Sequence, residues 1–88
     1  MAKIYHAHLF EGLTPGLYYA VNENFDEYAD DLDEYVEREI EECNRLSGVL
    51  WAPVEGLAVA GLPPVPVRIV RATFPDVEYL LAFYIKED

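Results

Sequence analysis

Positive charge is scarce in this chain: six Lys and Arg stand against 17 Asp and Glu in 88 residues, for a formal net charge of −11. A surface so short of cations repels phosphates, so direct binding to nucleic acid or to an anionic membrane is not expected. A basic protein surface is the natural partner. Cysteine occurs once, at Cys43, which excludes an intramolecular disulfide and a cysteine cluster for a metal; a lone thiol fits a reducing cytosol. Long apolar runs are also missing. The most apolar stretch, "GVLWAPVEGLAVAGLPPVPV", contains Glu55 and four prolines and breaks as a spanning helix. The opening "MAKIYHAHLFEG" lacks an apolar stretch followed by a small-residue cleavage site, so it reads as mature protein without a signal peptide.

What is present suits one α+β domain covering residues 1–88. Residues 2–10 and 17–23 are rich in β-branched and aromatic types and flank "EGLTPG", whose proline and glycines mark a hairpin turn. Asn24 with Glu27 three positions on makes a capping-box pattern. From there the apolar positions Phe25, Tyr28, Ala29, Leu32, Tyr35, Val36, Ile40, Cys43 and Leu46 recur by threes and fours, predicting a helix over 25–47 with Gly48 just beyond its end. Residues 49–64 are apolar yet rich in glycine and proline, and "GLAVAG" within them suits a short edge strand. "VPVRIVRATF" (65–74) and "VEYLLAFYI" (77–85) predict two more strands joined at Pro75 and Asp76. The expected fold is therefore β-β-α-β-β: an antiparallel sheet covered on one face by one long amphipathic acidic helix. Both late strands are apolar on both sides, so the second sheet face needs its own cover: residues 49–64, a second subunit in a homodimer, or a partner.

The stretch "DEYADDLDEYVEREIEE" (26–42) gathers ten carboxylates and one arginine. On a helix its i,i+4 like-charge pairs outnumber the opposite pairs, at a net cost of about 1 kcal/mol. A helix over 25–47 would be about 35 Å long, near one turn of B-DNA. Its carboxylates would recur every ~2.5 Å, between the charge spacing of duplex DNA and that of one strand. One reading is a solvated face that keeps the chain soluble. The other is a strip of phosphate-like charge for a basic groove, carried by Asp26, Glu27, Asp30, Asp31, Asp33, Glu34, Glu37, Glu41 and Glu42. Their concentration in one segment favours the second.

The remaining candidates are plainer. His6 and His8 fall on one face of a strand with Glu11 after them, but no further histidine completes a metal site, and paired strand histidines that titrate near neutral pH are the default. Cys43 lies on the apolar stripe, as a small core hydrophobe and not a nucleophile. Carboxylate pairs for acid/base work are not singled out from solvated ones, so no enzyme activity, cofactor or metal is expected. Tyr28 and Tyr35 read as core, one of Tyr18 and Tyr19 as exposed, and Trp51 as an anchor for its segment or for another chain.

In layout the chain resembles the small acidic anti-defence inhibitors of phages and plasmids, the anti-CRISPR proteins and ArdA-type antirestriction DNA mimics. An "IY" strand start, a glycine turn, the aromatic "GLYYAV" and an acidic helix follow the ArdA layout over residues 4–42 of this chain. The resemblance implies a carboxylate surface that occupies a nucleic-acid groove of a nuclease or defence complex and blocks DNA binding, in the cytoplasm of a bacterial host cell. An immunity protein or antitoxin covering a basic toxin nuclease would need the same charge and size, and a small homodimeric assembly protein is the third class.

Overall fold

The computed structural model describes residues 2–46 and 48–86. Strands β1 (Lys3–Glu11) and β2 (Leu17–Tyr28) form the expected hairpin. Gly16 takes the positive φ of 84° in its turn, and its N–H donates to the Glu11 carboxylate at 2.8 Å. There follow α1 (Leu32–Cys43), β3 (Leu50–Val54), β4 (Ala58–Ala60), β5 (Val67–Thr73) and β6 (Glu78–Ile85). The strands make one sheet in the order β3-β5-β6-β1-β2-β4, with β2 and β4 parallel and every other pair antiparallel.

The order forces the shape. β3 and β4 are opposite edges of the sheet, and a flat six-stranded sheet is about 24 Å across. Val54 and Ala58 are only four residues apart, a reach of at most about 14 Å. The sheet therefore curls until its edges approach, giving an open half-barrel. On one face Ile4, Val70, Leu81 and Phe83 pack against Leu32, Tyr35 and Val36 of α1 as the main core. Ala7, Leu9, Ala82 and Tyr84 point to the other side and are also buried, although no helix among the described residues lies there. There Tyr84 stacks on Tyr5, with ring centroids 6.4 Å apart. Four residues of the face that called for a second cover are thus buried within the single chain.

The expected long helix over an antiparallel sheet is overturned: the fold is dominated by a mixed, curled sheet, and its one helix is short. Residues 24–28 stay in β2, paired to β1 as far as Lys3 with Tyr28. Phe25 and Tyr28, expected on the helix stripe, are 47% and 50% exposed. Phe25 instead sits edge-on to Tyr5, with centroids 5.7 Å apart. Asn24 caps nothing; its side chain donates to the Asn22 carbonyl at 2.7 Å, and Asn22 has a φ of 57°, a conformation asparagine tolerates. The cap is Asp31, whose Oδ1 accepts from the Glu34 N–H at 3.1 Å. Asp31 and Glu34 repeat the spacing of Asn24 and Glu27 seven residues later. Two effects favour the later start: aromatic residues suit a strand, and a helix from 25 would stack Asp26 on Asp30, Glu27 on Asp31 and Asp30 on Glu34. The helix ends at Cys43 with Asn44 as its C-cap, so Gly48 (φ 78°) serves the following turn instead. Twelve residues make about 18 Å, half the expected length.

Residues 49–64 hold two strands. "GLAVAG" contributes β4, and β3, which was not expected, pairs with β5; Pro53 is tolerated because β3 is an edge. Asn44 fastens β3 to the end of the helix: its Oδ1 accepts from the Trp51 N–H at 2.6 Å and its Nδ2 donates to the Trp51 carbonyl at 3.0 Å. No helix among the described residues is long and apolar enough to cross a membrane.

Candidate functional site

Beside α1 the helix-bearing face of the sheet opens into a cavity of about 520 Å³, walled by aromatic rings and three carboxylates. Strand alternation supplies the floor. His6 and His8 on β1 point to the same side as Leu81 and Phe83, which oppose them on β6. The His6 and His8 rings are 5.8 Å apart, and His8 lies 5.8 Å from Tyr79. The helix adds Tyr35 and Glu39, and β3 adds Trp51. Phe83 is the centre of the aromatic wall, with its ring 6.3 Å from Tyr35 and 6.4 Å from Trp51.

Asp26 and Glu27 enter the cavity through an irregularity in β2. The pairing steps from Ile4 with Glu27 to Tyr5 with Phe25 and so skips Asp26. An extra residue in one strand re-aims a side chain, and here the Asp26 carboxylate lies 2.5 Å from His6 Nδ1. That hydrogen bond, reinforced by the Asp26 charge, raises the His6 pKa above its ordinary value despite partial burial. Glu39 is also raised, first by burial and then by the charges of Glu42, Asp26 and Glu27. The Tyr35 hydroxyl is pushed up by burial and by the charges of Asp26, Glu39 and Glu27. Burial leads the shifts of Glu39 and Tyr35 and a hydrogen bond leads that of His6; neighbouring carboxylates add to all three, and Arg38 partly opposes them at Glu39 and Tyr35.

The indole Nε1 of Trp51 is buried and has no hydrogen-bond partner among the described residues. A buried donor left unpaired costs on the order of 1–3 kcal/mol. Among the lining residues the hydroxyls are those of Tyr35 and Tyr79, with no serine, threonine or cysteine. Cys43 is partly buried, and its thiol is pushed up by burial and by Glu39 and Glu42. Glu11, weighed with the two histidines, caps the hairpin turn instead.

The nine carboxylates expected to form one strip are divided. Asp26 and Glu27 line the cavity. Asp30 accepts from the Ala2 N–H at 3.0 Å, and Asp31 is the helix cap. Asp33 is held by Arg68 at 2.5 Å, across to β5, and Glu41 by Arg45 at 3.1 Å. Glu34, Glu37 and Glu42 are exposed, with no ion pair among the described residues. The sequence reading passed over Glu39, although its signal was there: it falls four residues after Tyr35 and four before Cys43, a carboxylate on the apolar stripe. His6 with Asp26 could not be found in this way, because the contact depends on the irregular register of β2.

Compared with family models, curated proteins and solved structures, the chain gives no match.

Proposed function

We propose that the chain is an acidic binding protein whose helix presents carboxylates to a basic groove of a nucleic-acid-binding enzyme or defence complex and so blocks access by DNA. The observation that carries this reading is the outer side of α1. Glu34, Glu37, Glu41 and Glu42 are all exposed there, and only Glu41 is engaged, by an Arg45 that is itself mostly exposed. Exposed pairs of that kind contribute little and exchange readily for a partner's lysine or arginine. The four outward acids from Glu34 to Glu42 cover roughly 12 Å, one per ~3 Å, still near the charge spacing of a nucleic acid strand. The footprint is about a third of a turn of B-DNA. An immunity protein or antitoxin against a basic nuclease would use the same ridge.

The test is capture from a bacterial lysate at low and high salt, beside a Glu34→Lys, Glu37→Lys, Glu42→Lys variant. These positions avoid the cap at Asp31 and the ion pair at Asp33. A nucleic-acid enzyme retained at low salt, released at high salt and displaced by a short DNA duplex is the expected result. Equal retention by the triple variant would sink the proposal.

A further inference from the structure

We propose that the cavity beside α1 binds an organic cation, an alkylammonium or alkylguanidinium group, with Trp51, Phe83 and Tyr79 as aromatic walls and Glu39, Glu27 and Asp26 as counter-charges. The site lies on the helix-bearing face of the sheet and does not depend on the outer ridge of the helix.

Size comes first. At about 520 Å³ the cavity lies within the range of small-ligand sites. Charge then selects among occupants. Three carboxylates line it; His6, which holds a proton more firmly than an ordinary histidine, is paired with Asp26, and Arg38 acts on Glu39, so the lining keeps a net negative charge. An anion would be repelled. A neutral apolar group would strip water from Glu39 and Glu27 and return nothing. A bare metal ion would meet ring faces over much of the wall, and among the described residues no three His, Cys, Asp or Glu side chains are grouped to hold one. An organic cation satisfies both kinds of wall, because its charge meets the carboxylates while its desolvated surface lies on ring faces that attract positive charge.

The chain already uses this chemistry on Tyr35, one of the lining residues, where the Arg38 guanidinium lies 5.6 Å from the ring centroid. A cation beside Glu39 would also relieve the repulsion it meets from Asp26 and Glu27. Two sources share this chemistry, a free amine or guanidine and a lysine or arginine side chain of a partner.

Trp51 is the single tryptophan, so its fluorescence reports on the cavity without interference. The experiment titrates the full chain with butylguanidinium and tetramethylammonium chlorides at constant ionic strength, beside the neutral analogues butylurea and tert-butanol. A saturable change is expected with the cations and none with the neutral compounds. Glu39→Gln and Glu27→Gln, each checked for native circular dichroism, should weaken binding at least tenfold, while Glu37→Gln on the outer face should change it less than threefold. N-acetyl-arginine methylamide separates the sources: affinity equal to butylguanidinium supports a partner's side chain, and markedly weaker binding supports a free small cation. No saturable response to either cation, equal response to the neutral analogues, or unchanged affinity in both Gln variants would overturn the proposal.

Discussion

Asp26 Oδ1 lies 2.5 Å from His6 Nδ1, a contact between neighbouring strands made only because the β1–β2 pairing skips Asp26. The bond favours the imidazolium and raises the His6 pKa. Its stabilising effect is therefore fully present below about pH 6.5, the ordinary histidine value, and is lost as pH rises through the raised one. We expect Asp26→Asn to bring the His6 pKa back down, read by NMR titration of the ring protons. Denaturant unfolding of the variant should lose the decline in stability that the wild type shows across that window.

Glu39 gives a second pH dependence. Its carboxyl is raised by burial and by three neighbouring carboxylates, so the folded state disfavours its charge. The sign follows from linkage: stability is greatest below the ordinary carboxylate pKa and falls as pH rises toward the raised one. Glu39→Gln should therefore raise the melting temperature at pH 7, and the gain should disappear near pH 4. An unchanged melting temperature at pH 7 would show that Glu39 is well solvated.

The start of the helix can be tested with two alanine substitutions. Asp31→Ala removes the acceptor for the Glu34 N–H and should cost about 1 kcal/mol. Asn24→Ala should cost less than about 0.5 kcal/mol, since only one exposed local bond is lost. Urea unfolding decides between them, and the reverse order would restore a helix that begins at 25.

Asn44 ties the helix end to β3 through two hydrogen bonds with the Trp51 backbone. Asn44→Ala should cost roughly 1–3 kcal/mol and loosen the wall that Trp51 supplies to the cavity. Hydrogen exchange at Trp51 and a shift in its fluorescence measure the local effect, and chemical unfolding the global one.

Residues that act through their nearest neighbours in the chain were legible in the sequence. The hairpin followed from "EGLTPG", the late strand pair from the aliphatic runs around Pro75 and Asp76, and the sheet-facing stripe of Leu32, Tyr35, Val36 and Ile40 from its spacing. The helix start was misread because Asn24–Glu27 and Asp31–Glu34 carry the same local signal, and pairing of residues 24–28 with β1 decides between them. Glu39 on the apolar stripe was a visible anomaly whose meaning required the walls around it.

By itself the sequence determined the charge, −11 over 88 residues, because a sum of charges needs no geometry. It also determined that 26–42 is acidic, whatever structure that stretch takes. Only the tertiary structure decided that this acidity serves two places. The irregular register in β2 turns Asp26 and Glu27 inward to an aromatic cavity, while the short helix turns Glu34, Glu37, Glu41 and Glu42 outward. Strand pairing joins residues twenty or more positions apart, and no local pattern records which way an irregular strand aims its side chains.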